Sequence, residues 1–222
     1  GWRQYACPEF ESFRNPNLDE LLLAEGDLLP QTGKHWDMGL RFDNQRAKWE
    51  FTVFSIVIED EILYGMDPAT SLAINRNSDE LTRRTGAETD FSYGFMDNRL
   101  RLNANVGYVD AHFDESGAFV PLVPRVTSTV GLIWNPDKSL SYSLSAHYTG
   151  DRYDGNDFNN KTYDKLDAYT TVDAKVSWTI NSVEVFVSAA NILNEVYSTS
   201  GYSGTFYPMP ERNFMTGFKY KF

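Results

Sequence analysis

A single cysteine, Cys7, in 222 residues leaves no internal disulfide to staple the chain. Positive charge is also scarce. Twenty Lys and Arg stand against 31 Asp and Glu, a net of −11, whereas a nucleic-acid partner demands a basic face. There are only three histidines, His35, His112 and His147, and no two have the spacing that sets a metal pair on one helix face. No glycine-rich phosphate loop occurs, and no apolar run approaches the roughly 18–20 residues of a transmembrane helix. These gaps exclude helical membrane spans, P-loop chemistry and nucleic-acid binding. A sheet that crosses a bilayer is not excluded, because only alternate residues of its strands face lipid and the average stays polar.

Aromatic residues are plentiful: 15% of the chain, including 13 Tyr and 15 Phe. Barrel walls use such residues in girdles at both membrane interfaces. The C-terminal segment shows the pattern most clearly. Phe214, Thr216, Phe218, Tyr220 and Phe222 alternate with Asn213, Met215, Gly217, Lys219 and Lys221. Successive side chains of a strand point to opposite faces, so this segment is apolar on one side and polar on the other. Its length matches the ~9–11 residues of a tilted membrane-crossing strand.

The same alternation recurs upstream. Trp36, Met38, Leu40 and Phe42 share a face over 35–42; Leu100, Leu102, Ala104, Val106 and Tyr108 share one over 100–108. Similar strands are predicted at 48–58, 85–95, 126–134, 140–148, 171–180 and 183–189, making about nine with the last. Between Val53 and Phe54 the apolar phase slips, which predicts a bulge or a buried upper end. Short turns at 43–46, 96–99, 135–139 and 181–182 alternate with long polar loops at 61–84, 110–124, 150–168 and 191–211. A soluble sandwich has no reason to sort its connections by length. An outer-membrane barrel does, with short periplasmic turns and long extracellular loops. On that layout the last strand descends and the C-terminus lies in the periplasm. Residues 1–34 are then expected to be an extracellular loop after a strand stub at 2–6, with the barrel strands filling 35–222. Within that loop, Asn15 is expected to cap a short helix that has Pro16 in its first turn.

Several stretches resemble the TonB-dependent outer-membrane receptors. Arg14-Asn15-Pro16-Asn17-Leu18-Asp19-Glu20-Leu21 is similar to that family's loop helix. Residues 29–39 resemble its "P-E-x-S-x-x-x-E-x-G" strand start, with Gln31 and Asp37 where glutamates are usual. Arg84-Thr85-Gly86-Ala87-Glu88 is similar to its "x-x-G-x-E", and Pro121 to Arg125 to its proline-flanked strand start. Asn191-Ile192-Leu193-Asn194-Glu195-Val196-Tyr197 resembles "N-L-F-D-x-x-Y". Arg212-Asn213-Phe214 with Tyr220-Lys221-Phe222 resembles the family's terminus, with Glu211 in place of its glycine.

The resemblance implies about strands fourteen to twenty-two of a large plugged barrel. It also implies import of a metal chelate (siderophore) or a cofactor such as cobalamin. A plug domain and the TonB complex would act through a part with no candidate in these residues, so a fragment, a processed product or half of a split receptor is expected. The implied partners are outer-membrane lipid, lipopolysaccharide and the barrel assembly machinery, the last reading Tyr220 and Phe222.

Candidate ligand-binding residues lie in two loops: Arg152, Tyr153, Asp154, Asp157 and Phe158 in one, Tyr202 and Phe206 in the other. Asp151, Asp154 and Asp157 are hard oxygen donors suited to Ca²⁺, although a solvated turn has the same composition and no EF-hand spacing is present. Tyr197 and Tyr207 read equally as upper-girdle aromatics. On the wet face, His35, Asp37, Arg41, Glu88, Asp90, Arg101, Asp173 and Lys175 would line the lumen, either holding a plug or compensating one another. Two alternatives are a self-closed porin-like channel and an outer-membrane hydrolase using His112 or His147 near Asp110 and Asp151. No intrinsic cofactor is expected.

Overall fold

Ten long strands form one antiparallel sheet in a computed structural model that describes residues 1–24, 26–66, 70 and 72–220, with Pro8 described as backbone only. The first half of the chain supplies β1 (Trp2–Arg14), α1 (Leu18–Leu22), β2 (Gln31–Asp43), β3 (Ala47–Glu59), β4 (Ile62–Met66), β5 (Ala73–Asn77), β6 (Thr82–Phe95) and β7 (Leu100–Phe113). The second half supplies β8 (Val126–Trp134), β9 (Leu140–Thr149), β10 (Tyr169–Ile180), β11 (Val183–Ala190), β12 (Ser198–Tyr202), β13 (Thr205–Pro208) and β14 (Asn213–Tyr220). The sheet order is β1-β2-β3-β6-β7-β8-β9-β10-β11-β14, so each strand pairs with its chain neighbour once the loop hairpins β4–β5 and β12–β13 are set aside.

Register follows the binary pattern. Leu102 lies opposite Tyr93 and Leu132, and Leu132 opposite Leu144, so the apolar face runs unbroken from strand to strand. A one-residue slip would turn every such side chain to the wet face. The short turns sit where expected. Met96, Asp97 and Asn98 take left-handed backbone at the β6–β7 turn, and Asn181 does so between β10 and β11.

Hydrophobic burial is almost absent from the sheet itself. Among the described residues the buried apolar side chains are Ala111, Phe113, Val120 and Leu166, all at the loop-bearing rim. Meanwhile Trp36, Met38, Val130, Leu144, Trp178 and Val187 stand 44–55% exposed along the apolar face. An apolar surface of this extent is untenable in water. It suits a solvent of hydrocarbon.

Two expectations need correction, and a third is decided between its alternatives. The stub at 2–6 is the lower half of a complete strand: Trp2 lies opposite Phe42 at the short-turn end, and Arg14 opposite Gln31 at the other. A boundary at residue 34 therefore falls inside β2. The sequence hid β1 because a register shift between Cys7 and Phe10 changes its phase midway, and Gln4 and Glu11 interrupt its apolar face. The slip at Val53/Phe54 is not a bulge, since β3 keeps continuous register with β2 and β6. Phe54, Ile56 and Ile58 instead turn to the inner face, the buried upper end that was the other reading. The helix cap is Asn17, not Asn15; its side chain accepts from the Glu20 amide while the Glu20 carboxylate accepts from the Asn17 amide.

Phe54 also explains one glycine. A Cβ on Gly86 would come within 2.3 Å of the Tyr108 carbonyl oxygen and 2.5 Å of the Phe54 ring. Gly86→Val is therefore expected to break β6–β7 pairing locally and lower the temperature at which the folded band is lost on heat-modifiability gels. An unchanged transition would refute that packing.

Candidate functional site at the loop-bearing rim

The loops at the long-loop end interlock. The 150–168 loop is tied to its neighbours through side chains that the sequence offered as ligand contacts. Arg152 is 3% exposed and donates to the carbonyls of Gly150, Ser198 and Thr199, with its guanidinium 5.5 Å from the Tyr169 ring centroid. Burial pushes its pKa down from the ordinary arginine value, yet arginine stays charged. Asp154 has no exposed surface; it accepts from the amides of Asn156, Ser203 and Gly204 at 2.8–3.0 Å, joining the loop to the β12–β13 turn. Asp157, equally buried, accepts from the amides of Lys161, Thr162 and Tyr163.

The three aspartates offered as calcium donors have separate partners. Asp151 turns to Lys165 at 2.8 Å, Asp154 to the β12–β13 turn and Asp157 to its own loop. The three carboxylates do not converge, and among the described residues no group of three His, Cys, Asp or Glu is placed to hold a metal. Lys165 holds the Asp151 carboxyl below the usual carboxylate range. The motif was legible as acidic and turn-forming. What Asp154 binds depends on the Ser203 and Gly204 amides, which the chain brings back from the β12–β13 turn.

The aromatics are likewise mostly structural. Phe158 packs on Phe113 beneath the loops, under the Arg76 guanidinium and against Gly65. Tyr153 stacks on Phe119, with the Lys165 ammonium 4.4 Å from its ring centroid. Tyr202 meets Tyr64 of β4 edge-on, and burial with Tyr64 close by raises its pKa. Phe206, at 41% exposed, keeps a face open. Neither loop hairpin was foreseen, because β4, β5, β12 and β13 are four or five residues each and carry little periodicity.

Several cations around this rim are taken up by acids. Arg14 meets Glu20 at 2.9 Å, Arg83 meets Asp114 at 3.1 Å and Arg125 meets Asp110 at 3.0 Å. Arg84 and Glu61 form a largely buried pair at 2.6 Å, and Thr82 donates to the same carboxylate. This triad was missed, since Glu61 and Arg84 are separated by the β4–β5 hairpin.

The wet-face residues share one side of the sheet, as their registers require. Arg41 approaches Glu50 at 3.8 Å, and Tyr5 donates to the same Glu50 carboxylate. Asp90 accepts from Asn105, while Glu88 stands between Thr52 and Gly107 and Arg101 between Gly94 and Ile133. His35 hydrogen-bonds Ser12 and stacks on Phe10; Asp37 lies between Cys7 and Phe54. Asp173 lies 3.7 Å from His147 and accepts from the Asn191 amide. Lys175 covers the Phe186 ring. His112 and His147 do not converge: alternation sets His112, bonded to Asp110, on the apolar-face side and His147 on the inner side. At the C-terminus Tyr220 stands on the apolar face opposite Val183, whereas Phe222 lies outside the described residues.

Comparison with known proteins accords with this wall and rim. The copper transporter OprC superposes on 100% of this chain with a TM-score of 0.82 at 18% identity, the chain spanning 37% of it. The unliganded ferric citrate transporter FecA gives 0.76 over 98% of this chain at 19% identity, with 35% of its own length covered. The ferric-catecholate import receptor Fiu from E. coli K12 gives 0.73 over 98% at 17%, with 32% covered. At such identities the likeness shows a shared fold: a segment of a transmembrane antiparallel barrel, about a third of the length of the proteins it matches. The family model described as "TonB dependent receptor-like, beta-barrel" matches residues 11–192, most of the chain. The chain therefore belongs to the TonB-dependent receptor-like β-barrel family.

Proposed function

We propose that this chain is the C-terminal wall and outer rim of an outer-membrane importer that takes up a scarce metal as a chelate. The observation that carries the reading is the division of labour in the sheet. One face is mainly apolar, the other mainly polar and internally hydrogen-bonded, and one end bears an ordered cap of interlocked loops. An apolar exterior with a wet interior is how a barrel encloses a plug or a channel. The edges β1 and β14 are not neighbours in the sheet. Unpaired strand edges cost several kcal/mol for each unsatisfied group in lipid, so further strands would complete the wall. That disfavours a self-closed porin made of these strands alone.

On this reading a plug occupies the lumen against Arg41, Glu88, Asp90, Arg101, Asp173 and Lys175, and the TonB complex supplies energy through it. The short turns and C-terminus are periplasmic, lipopolysaccharide surrounds the upper wall, and Tyr220 contributes to recognition by the assembly machinery. A chelated metal fits better than cobalamin because the similar proteins are described as carrying copper, ferric citrate and ferric catecholate. Deleting the gene, or TonB, is expected to abolish uptake of radiolabelled metal from at least one chelate supplied as sole source. Identical uptake from every chelate in both deletions would sink the proposal.

A further inference from the structure

Where the 165–169 segment runs into β10, a cavity of about 740 Å³ opens between it and the 195–198 and 206–208 segments. Its aromatic lining includes Tyr169, Tyr197 and Phe206, and the first two pack at 4.3 Å between ring centroids with their planes tilted by 32°. Its charged lining is Asp167, Glu195 and Lys165. The single cation is already engaged, because the Lys165 ammonium lies 2.8 Å from Asp151 and 4.4 Å from the Tyr153 ring centroid. Among the described residues neither Asp167 nor Glu195 forms an ion pair with a side-chain cation. Two carboxylates without a cationic side-chain partner, beside the open face of Phe206, make the cavity electronegative.

The surroundings do not reverse that sign. Arg83, Arg84 and Arg125 each sit on a carboxylate, and Arg152 is buried among carbonyls with its guanidinium over the Tyr169 ring. No arginine lines the cavity to receive a trianionic chelate, whereas an ammonium group finds carboxylates and aromatic rings together. A cation over an aromatic face gains most when partly desolvated, as inside a cavity.

We propose that this cavity receives a positively charged group of the cargo, an ammonium carried on the chelating ligand, and so selects cationic over anionic metal chelates. This rests on the import reading and narrows it: the wall and loops say that something is taken up, and the cavity says which charge it bears.

The test uses one ferric trihydroxamate in three forms: with a free terminal ammonium, N-acetylated to be neutral, and N-succinylated to be anionic. Binding to the assembled receptor is followed by quenching of intrinsic fluorescence, and uptake by radioiron in cells. The ammonium form is expected to bind about tenfold more tightly than the acetylated one, and the succinylated form to bind weakest. Asp167→Asn with Glu195→Gln should abolish the preference between the ammonium and acetylated forms. Both variants are conservative, and heat-modifiable gel migration confirms their folding. Equal affinity for the three forms, binding of none, or a preference that survives the double substitution would overturn the inference. Uptake confined to anionic chelates would leave the import reading standing while this one falls; uptake of no chelate at all removes both.

Discussion

Val130→Arg is expected to keep the chain out of the outer membrane, while Asn103→Arg, in the next strand, is expected to leave assembly intact. Val130 lies midway along β8, between Ala104 and Ala146, on the face that carries Leu102, Leu132 and Leu144. It is 45% exposed and no polar side chain stands opposite it in either neighbouring strand. An arginine at the bilayer midplane costs about 2–4 kcal/mol, and snorkelling relieves little of that at the centre of the wall. Asn103 faces the other way, opposite Ser92 and Gly131, where the neighbours are small or polar and water is at hand. The pair is a facing test that total stability cannot mimic, because both variants add the same side chain to the same sheet. Comparing membrane-fraction yield and heat-modifiable migration checks it. Equal insertion of the two would show that the apolar face does not meet lipid.

Asp154→Ala should leave the sheet intact and loosen the rim. The carboxylate satisfies three backbone amides, two of them in the β12–β13 turn, and it is wholly buried. Removing it strands those donors at roughly 1–3 kcal/mol each until the turn opens to water. Hydrogen exchange is expected to show Ser203 and Gly204 losing protection by more than tenfold, with β7 to β10 unchanged. Asp154→Asn, which keeps the shape but halves the acceptor capacity and removes the charge, should fall between. Protection that persists in the alanine variant would mean the loops are tied together by something else.

The two substitutions probe the part of the molecule that the sequence described well and the part that it did not. Strand after strand, β7 above all, was readable because a membrane wall needs one repeated thing: an apolar side chain at every second position. That requirement is local, so it is written locally, and the turn residues at 96–99 and 181–182 confirmed it. β1 escaped because its register shift broke the very periodicity by which strands are recognised. The loops escaped for a different reason. Asp154, Asp157 and Arg152 stood out as chemistry-bearing residues, but their partners lie in backbone groups whose availability no side-chain pattern encodes.

What the chain's residues determined unaided was therefore the wall: its faces, its alternation of short and long connections, and its family. Tertiary structure decided how the charges are used. It gave three aspartates of a candidate metal set separate partners and made a buried strut of an arginine offered as a ligand contact. It also left Asp167 and Glu195 beside a closely packed tyrosine pair. The reason is one of range: hydrophobic patterning acts between adjacent positions along a strand, whereas a buried carboxylate is satisfied only by donors that the fold brings to it.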